Sequence, residues 1–393
     1  MQPFEDVDVL DLTQSIAGPV ATHFLGSLGA NIVKVEPPGG DAFREQLSGA
    51  IFASVNIAGK RSVCLDLKTD DGQEAARDLA AEADLMIESF RPGVLEQFDL
   101  DYEAVSEINE DVVYVSVTGF GQDGPYSDWP AYDPVIQAMS GLMSTIGYPD
   151  RPPVRIGASV IDWGTGTTAA FLAASALHER ELHGKGEHID VNLFEVTVAW
   201  MGYWIAHYTR TGETPERGGQ GFPGIAPNEI FHAADAEPFY VCAVNNRLYE
   251  RLCRAIGRED LISDDRYKTN EDRWAHRGAL IDELESEFAE YDRTDICERL
   301  ADAGVPVGPL RTVDELVNED PHIAARELLT DSYNLHQDMP IRTASLPFET
   351  SSGRPKLEDR PPKRGEHTRA VLEELGYDEA TIVRMLAAAD IDK

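Results

Sequence analysis

Asp162 stands near the head of an alanine-rich stretch that reads as helix from Gly164 to Leu182 and stops at Gly184. A carboxylate there lies in the positive end of a helix dipole, which favours its ionised, nucleophilic form at neutral pH. The same place suits an ordinary helix N-cap, so the position alone does not separate chemistry from structure. A second stretch, Arg217-Gly218-Gly219-Gln220-Gly221, has glycines that let backbone amides approach a developing oxyanion, or serve a flexible connector. The first strand–turn–helix–strand unit, ending on Glu36, has the parts of a dinucleotide-binding fingerprint. Its turn reads Ile16-Ala17-Gly18-Pro19, without GxGxxG, and Pro19 removes an amide that a pyrophosphate would use. That disfavours a nicotinamide enzyme. Cys64, Cys242, Cys253 and Cys297 are widely spaced, with no CxxC pair and no histidine at ligand spacing. No metal site is expected, and the thiols read as reduced.

At 393 residues, with 42% hydrophobic side chains, the chain is long enough for two domains with real cores. It has no apolar run of about 18 residues. Met1–Leu12 carries four acids and no basic residue, unlike a secretory signal. A soluble, cytoplasmic protein is expected. Against 34 Lys+Arg stand 70 Asp+Glu, for a formal net charge of −36 spread along the chain. Self-repulsion on this scale opposes a compact state in dilute buffer, whereas molar salt screens it within about 3 Å. The balance suits a high-salt (halophilic) cytoplasm and argues against nucleic acid or anionic membranes as partners.

Strand patterns at Val7–Leu12, Ile32–Glu36, Val63–Leu67, Leu85–Glu88, Val112–Thr118 and His188–Leu193 alternate with helical ones, including 20–28, 72–82 and 194–208. This alternation implies an α/β fold with a doubly wound, Rossmann-like parallel sheet. The Gly/Pro/Arg-rich 210–227 reads as a linker, Ile230–Ala243 as a hairpin turning at Asp235–Pro238, and 345–364 as a further Pro/Gly-rich connector. The expected layout is a large domain over 1–209, the linker 210–227, and a smaller α+β domain over 228–340. A return linker over 341–364 and C-terminal helices over 365–393, packed on the large domain, complete it.

Several segments together resemble family III CoA-transferases, the CaiB/BaiF and formyl-CoA transferase-like enzymes. They are DLTQSIAGPVATHFLGSLGANIVKVEPPGGD (Asp11–Asp41), NIAGKRSVCLDLKT (Asn56–Thr69), IESFRPGVLE (Ile87–Glu96) and VSVTGFGQDGPYSD (Val115–Asp128). AYDPVIQAMSGLMSTIG (Ala131–Gly147), IDWGTGTTAAFLAASALHERELHGKGEHIDVNLFE (Ile161–Glu195), GVPVGPLRTVDELVNEDPH (Gly304–His322) and GEHTRAVLEELGYDE (Gly365–Glu379) follow in the family's order. The match spans nearly the whole chain.

The resemblance implies that Asp162 is a nucleophile that carries the acyl group and then coenzyme A. Coenzyme A would be a substrate moiety, with no permanently bound cofactor and no metal. Gly164 and Gly166 would leave room for the acyl group, and Gly218, Gly219, Gln220 and Gly221 would form a flap over the nucleophile. Ile16, Ala17, Leu65, Lys68, Ser89, Phe90 and Arg91 would border coenzyme A, Leu65–Lys68 at its adenine and Ser89–Arg91 at its phosphates. Lys60, Arg61 and Arg44 are further candidate cations; the alternative for Lys60 and Arg44 is an exposed charge paired with an acid. Tyr132 and Asp133 would be pocket neighbours of Asp162. The implied assembly is an interlocked homodimer, its site shared between one subunit's large domain and the partner's small one.

Ile16 and Pro37 depart from members that carry glutamine and arginine there, so those members' preference for oxalate-like acids does not transfer. The nearest rival is a 2-methylacyl-CoA racemase of the same fold. Racemases carry a His-Asp pair where this chain has Tyr132-Asp133, and a two-base mechanism then lacks a partner. A non-catalytic CoA-binding protein is the other rival. The expected substrates are a succinyl-CoA-like donor and a C4–C5 dicarboxylate acceptor such as mesaconate.

Overall fold

Six strands make one parallel sheet in the computed structural model, which describes residues 2–335, 339–357 and 360–391. They are β1 (Asp8–Leu12), β2 (Asn31–Glu36), β3 (Lys60–Cys64), β4 (Leu85–Glu88), β5 (Val113–Thr118) and β6 (Glu187–Asn192). Their order is β3-β2-β1-β4-β5-β6, with every pairing parallel. This is the doubly wound order whose direction reverses between β1 and β4, where a crevice opens at the strands' carboxyl ends. All residues of β4 and β5 are buried, which explains their largely apolar sequences; Glu88, Ser116 and Thr118 are the buried polar exceptions.

The helices of this part are α1 (Ala17–Ser27), α2 (Ala50–Val55), α3 (Asp70–Glu82), α4 (Tyr102–Ile108), α5 (Asp133–Met139), α6 (Val160–His183) and α7 (Leu193–Trp200). In α3 the Thr69 hydroxyl accepts the Gly72 amide, and Ala75, Ala76 and Ala80 turn inward. The core on one side of the sheet joins Leu10, Val33, Val63 and Met86 to Val371, Leu372, Ile382 and Met385 of the final helices, Thr368–Glu374 and Glu379–Ala388.

The chain divides into two compact units, one of 1–140, 157–202 and 322–393, the other of 141–156 and 203–321. The second holds an antiparallel sheet, β7 (Asn228–His232), β8 (Pro238–Cys242) and β9 (Val307–Pro309), in that order, and several helices. Phe231, Phe239 and Phe288 pack edge to face at its centre.

Some boundaries differ from the sequence reading. The helix expected over 194–208 is broken at Met201 into α7 and α8 (Gly202–Thr211), where the chain passes from one unit to the next. It returns to the first unit at His322, upstream of the expected connector 341–364. There it forms an antiparallel pair, β10 (Leu329–Asn334) inside the span assigned to the small domain and β11 (Met339–Ala344) across its boundary with the expected return linker. Among the described residues no helix is long and apolar enough to cross a membrane.

Candidate active site

A buried charge cluster shapes the β1–α1 turn. Asp11, one residue before the end of β1, accepts the Thr13 amide (2.9 Å) and hydroxyl (2.5 Å) and the Thr22 hydroxyl (2.6 Å). Lys60 lies 3.3 Å and Lys34 4.0 Å from its carboxylate, all three side chains wholly buried. Burial alone would raise the Asp11 carboxyl, but Lys34 and Lys60, with the two threonine hydroxyls, bring it down to about 2. Past this anchor, Ser15 takes a left-handed φ of 69° and swings the chain into α1. Opposite, the Ser89 hydroxyl accepts the Gln14 amide (2.9 Å), tying the turn after β1 to the turn after β4.

The crevice between these turns is a cavity of about 430 Å³. Gln14, Ser15, Ala17, Ser89, Phe90, Arg91, Thr118, Tyr132 and Asp162 are on its wall. Gln14, Phe90 and Val94 also line a neighbouring cavity of about 500 Å³. That second space is mostly apolar, walled by Leu12, Val35, Pro37, Pro38, Leu65 and Phe98, with Asp66 and Lys68 at its edge. Arg91 and Lys68 are both exposed, and among the described residues neither is paired with a carboxylate.

Asp162 is 8% exposed and lies in the first turn of α6, whose cap position is Ser159, three residues earlier. Asp162 is therefore not the cap. The buried Asp133 fills that role: one of its oxygens accepts the amides of Ile161 (2.8 Å) and Asp162 (3.4 Å). Its other oxygen accepts the Gln137 amide (2.5 Å). Burial, then the Asp133 charge, push the Asp162 carboxyl up to about 7, against a hydrogen bond from Ser159. The helix dipole expected to favour the ionised form at neutral pH is thus outweighed by desolvation and a like charge.

A pH dependence follows. A carboxylate attacks only when ionised, so kcat/KM of a reaction carried by Asp162 should fall as pH drops through about 7. In Asp133→Asn the cap oxygen remains, Gln137 can turn its amide over, and the like charge is gone. The acid limb should then move about one unit lower. A pH–rate profile of both proteins checks this; an unmoved limb would assign the titration elsewhere.

Other expected site residues fall outside the cavity wall. Ile16 turns into an apolar cluster with Val20 and Val55. Lys60 is 4% exposed, held by Asp11, the Pro19 carbonyl (3.0 Å) and Asn56 (2.9 Å), so it is not a surface cation. Arg44 grips Glu36 with two nitrogens, and Arg61 pairs with Glu374. Gly164 and Gly166 do not open space for an acyl group. A Cβ at Gly164 would sit 2.1 Å from the Trp200 ring, and one at Gly166 would sit 2.3 Å from the Ala17 carbonyl. They let α7 and α1 press against α6. The exposed Tyr132 rests near Phe43, ring centres 6.3 Å apart.

The loop Gly218–Gly221 belongs to the second unit. Gly219, at φ 64°, donates its amide to the Gly147 carbonyl (3.1 Å) beside the Tyr148 ring. Arg217 donates to the carbonyls of Tyr148, Pro149 and Arg151. Sequence reasoning missed Asp11, Ser15, Gln14 and Thr118, though Asp11–Ser15 lie inside a quoted motif. Among the described residues no His/Cys/Asp/Glu group could hold a metal.

The family model described as CoA-transferase family III matches residues 4–368. The chain is 38% identical to an acetyl-CoA:oxalate CoA-transferase of Acetobacter aceti, covering 91% of this chain and 94% of that one. It is 35% identical to a succinyl-CoA:mesaconate CoA-transferase of Haloarcula hispanica, covering 97% and 98%. A crystal structure of a CaiB/BaiF family protein from Brucella suis superposes with a TM-score of 0.84 at 36% identity, covering 95% of this chain and 99% of that one. A parallel sheet with a buried aspartate at its crevice, matched in sequence almost end to end, identifies this chain as a CoA-transferase of family III.

Proposed function

We propose that coenzyme A lies across the two joined cavities and that Asp162 carries it between two acids. The supporting observation is one continuous wall. Asp162 lines one cavity, Gln14, Phe90 and Val94 line both it and the apolar one beside it, and Arg91 and Lys68 stand on these walls without a carboxylate partner among the described residues. The apolar chamber suits the adenine, the two cations suit the phosphates, and the pantetheine thiol reaches Asp162.

The chemistry balances without another reactant. The Asp162 carboxylate attacks the donor thioester carbonyl, giving an aspartyl–acyl anhydride and CoA thiolate. The thiolate attacks the aspartyl carbonyl, releasing the donor acid and leaving an aspartyl-CoA thioester. The acceptor carboxylate displaces the thiolate to form a second anhydride. Thiolate attack on the acceptor's carbonyl then yields the new acyl-CoA and frees Asp162. Each tetrahedral intermediate needs hydrogen-bond donors for its oxyanion, a role we assign to the Gly218 and Gln220 amides of a Gly218–Gly221 flap. The interlocked homodimer belongs to the same reading. Phe171 and Trp200 on the first unit, and Tyr203 and Tyr208 on the second, are large exposed side chains such an assembly would cover.

The substrate reading is a succinyl-CoA-like donor and a C4–C5 dicarboxylate acceptor, supported by the mesaconate-using relative. The test supplies succinyl-CoA with a panel of acids, without ATP, in dilute buffer and in molar KCl, and follows new thioesters by mass spectrometry. Mesaconyl-CoA should form, faster in KCl as screening relieves the excess acids. Deuterium entry at the α-carbon of a 2-methylacyl-CoA, with no exchange of CoA among the acids, would instead establish the racemase.

A further inference from the structure

Glu88 is a buried carboxylate that the reaction above does not use. It is the last residue of β4, 4% exposed, and among the described residues it has no cation as partner. Leaving an ionised carboxylate there without a counter-ion costs several kcal/mol unless hydrogen bonds offset it. Its Oε2 accepts the Phe90 amide at 2.6 Å, closing the turn that carries Ser89, Phe90 and Arg91 onto the cavity walls.

On its other side Glu88 faces Ser116 in the β4–β5 register and shares a hydrogen bond with it. The Ser116 hydroxyl lies 3.0 Å from Nε2 of His188 on β6. The His188 ring is stacked on Tyr102 (4.9 Å) and met edge-on by Tyr114 (5.3 Å), so it is held in place. Among the described residues, the charged groups that act on this chain are acidic. Asp190 on β6 acts on Glu88 and His188, Glu103 of α4 on His188 and Tyr114, and Asp101 beside α4 on Tyr114.

The chain Glu88–Ser116–His188 can run in two directions. With Glu88 ionised, Ser116 donates to the carboxylate and accepts from His188 Nε2–H. With Glu88 protonated, its O–H donates to Ser116, whose own proton turns to an unprotonated Nε2. Both arrangements keep the serine and histidine satisfied, but a neutral carboxyl is the weaker acceptor for the Phe90 amide.

We propose that Glu88 is a proton-operated positioning residue of the coenzyme A site: ionised, it holds the Ser89–Arg91 turn in its binding shape, and protonated, it loosens that turn. The inference rests on the coenzyme A reading above. Burial, with a smaller push from Asp190 and against hydrogen bonds from Ser116 and Phe90, places the Glu88 carboxyl at about 7, so the change falls within a neutral range.

The experiment is calorimetric titration of free CoA into the intact protein from pH 6 to pH 8. Wild type should bind about tenfold more tightly at pH 8 than at pH 6, the scale of one charge-assisted hydrogen bond partly lost. Glu88→Gln, which keeps an acceptor for Phe90 and a donor for Ser116, should show only the shallow slope of the CoA phosphates. Ser116→Ala, losing a donor to the ionised form, should keep the response with its midpoint at higher pH, and is the readout if Glu88→Gln fails to fold. Equal slopes in wild type and Glu88→Gln, or an unmoved midpoint in Ser116→Ala, would each overturn the proposal. Absence of CoA binding by wild type at every pH would refute the coenzyme A reading itself.

Discussion

Replacing Asp162 with asparagine is expected to lower transfer by about four to six orders of magnitude, the scale of losing a covalent nucleophile. An amide is a poor nucleophile, and the uncharged side chain has nearly the same shape, so the fold should remain. The same change should stabilise the protein above pH 7. The folded-state Asp162 carboxyl sits at about 7 against an ordinary 3.8, so its favourable contribution is complete below pH 4 and lost as pH rises through 7. At pH 8 the ionised group costs up to about 4 kcal/mol, at 1.36 kcal/mol per pH unit, and asparagine removes that cost. Denaturant unfolding of both proteins at pH 4 and pH 8 should show a gain for the variant that is small at pH 4 and full at pH 8. The mutant does not by itself separate transfer from racemisation, because both mechanisms would suffer. Trapping does. After incubation with acyl-CoA, hydroxylamine should convert the peptide bearing Ile161-Asp162-Trp163 to a hydroxamate, read as a mass shift at Asp162 alone. An enolate mechanism leaves that peptide unmodified in an enzyme that still turns over.

Asp11→Ala should be the most damaging change to the fold itself. It strips the carboxylate that two fully buried lysines share, leaving Lys60 with only neutral partners and Lys34 with Asp41 at 3.3 Å. Breaking a buried ion pair from one side costs about 3–5 kcal/mol, much of the 5–15 kcal/mol by which a domain is stable. The Thr13 and Thr22 hydroxyls lose their acceptor too, so the turn that places Gln14, Ser15 and Ala17 on the cavity wall should loosen. Urea unfolding at pH 7 should show the loss, with CoA binding weakened in whatever protein folds. A destabilisation below about 1 kcal/mol would mean that the lysines find other partners or lose their protons. In wild type, the Asp11 contribution is present above pH 4 and lost as pH falls through about 2, because its folded pKa is depressed.

The largely apolar runs at Leu85–Glu88 and Val112–Thr118, alternating with helical patterns, made the parallel sheet legible, since strands buried on both faces carry few polar side chains. The motifs ordered along the chain carried the family, and with it Asp162, Ala17, Leu65, Lys68, Ser89, Phe90, Arg91 and Tyr132, all of which line the two cavities. Protonation and pairing were not legible. Lys60 and Arg91 look alike in sequence, yet one is buried against Asp11 and the other faces the cavity, because only the β1–β2–β3 register decides which carboxylates meet which cations. Gly164 and Gly166 read as space for substrate, but that space is taken by Trp200 and the start of α1. The ionisation of Asp162 turned on burial and on Asp133, distant in sequence and brought by α5 to cap the helix that bears Asp162. Local pattern determines which segments become strands and helices. Burial and through-space charge, which set what a carboxylate can do, exist only once those segments are packed.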